Sequence, residues 1–194
     1  MRFVVLTDLH GVYYGEKQDI LINMIEEKTP DALFYVGDMA DEYTEDAAVL
    51  DLIAGLQGQY PSYYVSGNHE YWSGKTESIK SAFREFGVTV LEGTRESLEI
   101  NGEKLSVCGV DDPESGMLAE QLNDAFAGID EDTYTILLSH RPESIDSFLA
   151  YPCDLVVSGH AHGGQWRIPG LINGVFAPSQ GIFPKYAGGL YEHG

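Results

Sequence analysis

This 194-residue sequence has only two cysteines and few basic residues beside its acidic ones. Cys108 and Cys153 stand far apart and match no zinc or redox spacing, so they read as two buried free thiols, not a thiolate site. Against 31 Asp and Glu there are only 11 Lys and Arg, a net charge of −20. Such a surface repels polyanions, which argues against nucleic acid and anionic membrane as the main partner. No run approaches the ~18 apolar residues of a membrane span. No charged-then-apolar leader precedes Arg2-Phe3-Val4-Val5-Leu6, so the expectation is a cytoplasmic protein whose fold begins at once.

What is present is a repeating order of short apolar runs and amphipathic stretches. Phe3 to Leu6, Ala32 to Val36, Tyr63 to Val65, 88–91, 134–138 and 154–157 read as buried strands. Helices are expected over 17–28, 44–57, 75–86 and 116–127. Leu98-Glu99-Ile100 and Leu105-Ser106-Val107 flank Asn101-Gly102, a hairpin signal. Strands alternating with helices indicate an α/β fold, with the hairpin making a sheet mixed. One domain is expected over 1–194, with no linker, repeat or low-complexity tract. The Gly- and Pro-rich segment 163–191 reads as looped strands covering one sheet, its large apolar side chains buried there. Exposure of several of them beside the metal site as one contiguous patch would instead favour an acyl-bearing substrate or membrane contact.

Five of the six histidines fall in four short blocks: Asp8-Leu9-His10, Gly67-Asn68-His69-Glu70, Ser139-His140 and Gly159-His160-Ala161-His162-Gly163-Gly164. A further block, Gly37-Asp38-Met39-Ala40-Asp41, adds two carboxylates. Each follows an expected strand, where ligands bind in open α/β sheets. Imidazole, carboxylate and carboxamide without thiolate suit two divalent transition metals sharing a bridging carboxylate. Asp8 and His10, two apart on an extended chain, can reach one metal; His160 and His162 can present imidazoles to adjacent metals. Asn68 offers a neutral oxygen, and Glu70 reads as an acceptor behind the ligands. Asp41 is expected to accept the ring N–H of His69. Arg141 can hold a phosphate oxygen or offset nearby acid. Tyr13, Tyr14, Tyr71 and Trp72 are expected to pack, with a substrate wall as the alternative.

Taken together, Asp8-x-His10, Gly37-Asp38-x-x-Asp41, Gly67-Asn68-His69-Glu70, His140 and Gly159-His160-x-His162 resemble the calcineurin-like metallophosphoesterases in block type, order and spacing over residues 3–164. Gly163-Gly164-Gln165 and the Arg-Ile-Pro-Gly run after it narrow the likeness to a bacterial phosphodiesterase branch that includes hydrolases of UDP-diacylglucosamine-type lipid precursors. The resemblance implies a four-layer α/β sandwich of two mixed sheets flanked by helices. It also implies further strands beyond the Gly188-Gly189-Leu190-Tyr191 region, where this sequence stops at Gly194. By it, Asp8, His10, Asp38 and His162 would hold one metal. Asp38 would bridge to a second, held also by Asn68, His140 and His160. His69, oriented by Asp41, would face the leaving group instead of binding metal.

Two such metals would activate a bridging water for in-line attack and, with Asn68, stabilise the phosphoryl oxygens. The cofactors expected are two divalent ions, Mn²⁺ first, with Fe or Zn²⁺ as alternatives. The expected partner is a small phosphorylated substrate, nucleotide-like or a lipid-precursor pyrophosphate, with peripheral membrane contact left open. A phosphomonoesterase and a non-catalytic scaffold on the same fold are the competing readings; retention of His69 and Asp41 argues against the second.

Overall fold

A computed structural model describes residues 1–168 and 170–193. Two four-stranded sheets pack face to face. The first runs β1 (Phe3–Leu6), β2 (Ala32–Val36), β3 (Ser62–Val65), β4 (Thr89–Val90), parallel throughout. The second runs β5 (Thr94–Ile100), β6 (Glu103–Gly109), β7 (Tyr134–Leu138), β8 (Leu155–Val157). Only β5–β6 is antiparallel, so the mixed character comes from this hairpin. Its turn is Asn101-Gly102, with φ of 55° and 83° at the two central positions, the left-handed pair that a two-residue hairpin turn requires.

The helices are α1 (Asp19–Glu26), α2 (Ala47–Gly55), α3 (Asn68–Trp72), α4 (Thr76–Glu85), α5 (Leu118–Phe126) and α6 (Ile145–Phe148). Side-chain alternation along buried strands sorts the apolar residues into three clusters and so builds four layers. Leu33 and Tyr35 of β2 face α1, α2 and α4, with Leu52, Ile53, Ile79 and Phe83. Ala32, Phe34 and Val36 of the same strand face the second sheet, meeting Leu105, Val107, Ile136 and Leu138. Cys108 and Leu137 point the other way, toward Leu122, Phe126 and Phe148 on α5 and α6. A strand buried on both faces must be apolar at every position, which is why β2 reads as an unbroken run. Cys108 is buried and Cys153 half-buried, both as free thiols.

The segment after β8 departs from expectation. Among the described residues its pairing is limited to β9 (Phe176–Ala177) against β10 (Gly181–Ile182) and an Ile168–Ile172 bridge. Strands this short offer no sheet face on which to bury large side chains. Trp166, Ile168, Leu171, Ile182, Phe183 and Leu190 are accordingly 50–81% exposed, while Ala177, Tyr186 and Ala187 are buried. Pro169 of the Arg-Ile-Pro-Gly run lies outside the described residues. Among the described residues no helix is long and apolar enough to cross a membrane.

Phe34 stacks on Phe3 at 5.0 Å between ring centroids and lies wholly between the sheets. Phe34→Ala should therefore cost about 3–5 kcal/mol in chemical denaturation. Ile182→Ser, at a 71% exposed position, should stay within about 0.5 kcal/mol of the parent. Equal losses would contradict the layer assignment.

Candidate metal centre

The strand order carries the C-terminal ends of β1, β2, β3, β7 and β8 to one edge of the sandwich, and the histidine- and aspartate-bearing loops begin there. Asp8 and His10 follow β1, Asp38 follows β2, and Asn68 and His69 open α3 just after β3. His140 follows β7, and His160 and His162 follow β8. Backbone bonds lace the loops together: Asp8 N–H donates to the Gly37 carbonyl at 3.1 Å and His10 N–H to that of Asp38 at 3.0 Å. Contacts of the ligand-bearing residues also cross between the sheets. His140 Nδ1 lies 2.7 Å from the Val36 carbonyl, and the His160 N–H approaches both Asp8 carboxylate oxygens at 3.2 Å. Since a carbonyl only accepts, Nδ1 of His140 carries hydrogen and Nε2 is the atom left for the site.

Glu70 sets the depth of the cradle. Its buried carboxylate accepts the backbone N–H groups of Asp38 (3.0 Å), Met39 (2.8 Å), Ala40 (3.1 Å) and Gly67 (2.8 Å). The loop after β2 is thereby clamped to the start of α3. Asp38 Oδ1 closes the same junction by accepting the His69 N–H at 2.9 Å. There is no room at Gly67 for a side chain, since an added Cβ would collide with Asp38 Oδ1. Gly37 stands at φ 77°, where a Cβ would meet His140 Nδ1 at 2.6 Å.

The side chains converge in two overlapping groups. Ligand-capable atoms of Asp8, His10 and His162 lie within 4.8 Å of one another, as do those of Asp38, His140 and His160; His10 and Asp38 also gather with His69. Asp38, Asn68, His140 and His160 are buried, Asp8, His10 and His69 half-buried, and His162 exposed. Asp38 Oδ2, Asn68 Oδ1, His10 Nε2, His140 Nε2 and His160 Nδ1 are buried without a hydrogen-bond partner. Asp38 Oδ2 and His140 Nε2 approach to 3.0 Å but are not aligned as a bond. Buried polar atoms are normally satisfied. Five unsatisfied donors and acceptors of one N/O set, converging on one place, fit divalent cations. Backbone strain falls within the same cluster: Asp8, His10, Asp38, His160 and His162 all have φ between 46° and 63°.

Electrostatics sharpens the picture. Burial, aided by the charges of His140 and Arg141, pushes His160 down to about 3, so its imidazole is neutral and ready to bind. Burial also lowers His10, with Asp38 offsetting it in part. For His140 burial works in the same direction, but the Asp38 carboxylate outweighs it and holds the imidazole above its ordinary value. Asp38 in turn sits below the carboxylate range, because His140 and the His69 amide outweigh its burial.

One partnership differs from the sequence expectation. Asp41 Oδ1 accepts from the Tyr43 and Thr44 amides and the Thr44 hydroxyl, and Oδ2 stands 3.9 Å from His10 Nδ1. The carboxylate at His69 Nδ1 is that of Glu42, at 2.8 Å. Glu42 carried no signal of its own beside Asp41. Arg141 is engaged by acid: it binds Asp112 bidentately at 2.8 and 3.1 Å and donates to Ser179 Oγ at 2.8 Å. Ser179 also lies 3.2 Å from His160 Nε2, a contact from the C-terminal loop that sequence reading missed.

Comparison with known proteins places the chain. The sequence profile of the calcineurin-like phosphoesterases matches residues 1–164. An uncharacterized metallophosphoesterase of Bacillus subtilis, YkuE, is 28% identical over 199 residues, covering 100% of this chain and 68% of its own length. One from Aquifex aeolicus is 31% identical over 191 residues, covering 94% of this chain and 71% of its own. The chain spans as little as 37% of other curated relatives it matches. In fold it is similar to the NAD nucleotidase of Haemophilus influenzae, with a TM-score of 0.54 and 17% identity over 84% of this chain and 38% of that one.

Two outcomes follow from this geometry. Glu70→Gln puts an NH₂ where backbone N–H groups point, and should cost at least about 2 kcal/mol in thermal or chemical unfolding. Because Asp38 keeps His140 charged near neutral pH, cation binding must displace that proton. Calorimetry in two buffers of different ionisation heat should show about one proton released, with apparent affinity falling as pH is lowered. No release would contradict the His140–Asp38 pairing.

Proposed function

The chain belongs to the calcineurin-like phosphoesterase family, and from that premise we propose that it hydrolyses phosphoric esters with two divalent cations. Asp8, His10 and His162 would hold one cation, Asn68, His140 and His160 the other, and Asp38 would serve both. The observation that carries this reading is the set of buried, unpartnered ligand atoms on Asp38, Asn68, His10, His140 and His160. The chemistry supplied by two bound cations is charge offset at the phosphoryl oxygens and water made nucleophilic at neutral pH. Mn²⁺ is our first assignment, with Fe or Zn²⁺ as alternatives, since an N/O set with a carboxamide does not select sharply among them.

The protein's own contribution to bond cleavage centres on His69. Its Nδ1 is taken by Glu42, so Nε2 is the atom that can hold a proton for the departing oxygen. Glu42 keeps the ring from turning, and the Asp38 carboxylate fixes the His69 backbone. We assign diesters ahead of monoesters on the likeness of Gly163-Gly164-Gln165 to the bacterial phosphodiesterase branch. The substrate would be small, either nucleotide-like or a lipid-precursor pyrophosphate.

Hydrolysis of bis(p-nitrophenyl) phosphate and p-nitrophenyl phosphate by Mn²⁺-loaded and EDTA-stripped protein tests the proposal. Cation-dependent turnover with the diester ahead is expected; turnover that survives stripping would sink it. His69→Ala should lower turnover by ~10²–10⁴-fold with cation content kept. Glu42→Gln should cost about tenfold in turnover with little change in stability, whereas Asp41→Asn should show mainly in the stability of its loop. The reverse pattern would return the role to Asp41.

A further inference from the structure

The fold leaves one large aromatic beside the site almost unused. Trp72 ends α3, three residues after His69 and four after Asn68, so it stands one helical turn along the same face. Its ring meets the His69 imidazole with 4.9 Å between centroids and 61° between planes. Yet it is 54% exposed and belongs to none of the three apolar clusters. Tryptophan has more apolar area to gain from burial than almost any other side chain, and here about half of its surface stays in solvent.

Two other aromatics near the ligand blocks are tied to polar partners. Tyr13 donates its hydroxyl to Asp51 at 2.9 Å. Tyr71 turns toward the buried Asp111–Lys80 pair, where burial and the Asp111 carboxylate push its hydroxyl to about 12. The mount of Trp72 is also firm. The Ser73 and Thr76 hydroxyls donate to the Glu70 carbonyl at 2.8 and 2.9 Å, and the Glu70 side chain is locked by four backbone amides. A half-exposed indole, carried on a firmly anchored helix and in contact with the imidazole assigned to the leaving group, offers apolar surface to a ligand.

We propose that Trp72 is a specificity-determining residue whose exposed face stacks against a planar aromatic group on the leaving-group side of the ester. This rests on the reading of His69 as facing that side. The class it selects is an ester whose departing portion carries a flat ring, whether aryl or nucleobase, over one whose departing portion is an open polyol. Base-on-aromatic stacking is sequence-tolerant and is lost on truncation to alanine.

Binding of phenyl phosphate and glycerol phosphate to the Mn²⁺-loaded chain separates the possibilities. Isothermal titration on the parent, Trp72→Ala and Trp72→Phe should show phenyl phosphate weakened about tenfold by the alanine and largely restored by the phenylalanine. Glycerol phosphate should change less than twofold throughout. A matched loss of both ligands would make Trp72 a prop for His69 and overturn the proposal, as would no loss of either. In a Trp166→Phe background, phenyl phosphate should also alter the emission of Trp72. If the parent binds cations but neither ligand, the phosphoester reading itself fails, and this inference with it.

Discussion

Glu70 is the interaction on which the site depends. A carboxylate with no solvent contact stays ionised only if its oxygens are well supplied with donors. Here four backbone amides from two different loops provide them, offsetting part of the burial and Asp38 repulsion that hold the carboxyl above its ordinary value. The arrangement works in both directions. The amides make the buried charge tolerable, and the charge fixes the positions from which Asp38 and Asn68 enter the site. Without this clamp the loop after β2 and the start of α3 would be joined mainly through Asp38, which the site itself needs.

A second constraint is the stitching of the two sheets at that same edge. His140 comes from the second sheet and bonds the Val36 carbonyl of the first; Asp8 comes from the first and meets the His160 amide of the second. The cluster is therefore assembled only when the inter-sheet layer around Phe34, Val107 and Ile136 is closed. Positive φ at five of the clustered residues and unpartnered ligand atoms are costs that packing elsewhere offsets. Bound cations would relieve the second of these directly. The chain's net charge of −20 adds to the pull on cations, while the near-neutral stretch from His160 onward leaves an anionic ester one less repulsive approach.

Much of the scaffold was legible because burial on two faces leaves a plain mark. The run at 32–36 is an uninterrupted apolar segment and the one at 134–138 is broken only by Thr135; they coincide with β2 and β7, and the Asn101-Gly102 turn announces its own geometry. Helices α1, α2, α4 and α5 lie within their expected stretches, trimmed by one to three residues at each end. The five residues of α3 are too few to show a helical period. The exposed segment after β8 misled for a different reason: its apolar content looks like a buried sheet cover, but two-residue strands provide no face for burial. The ligand blocks were legible because they sit at strand ends. The His69 partner was not. Asp41 and Glu42 are adjacent carboxylates, and only the turn that Asp41 makes with the Tyr43 and Thr44 amides decides which one reaches the imidazole.

On the proposed reading the strand-end loops form one centre for two cations, with Asp38 serving both. Cation stoichiometry by elemental analysis, on Mn²⁺-loaded and desalted protein beside an Asp38→Ala variant confirmed to be folded, tests this most directly. Two ions per parent chain, falling below one in the variant, is the predicted result. A single ion in the parent that survives the loss of Asp38 would contradict it.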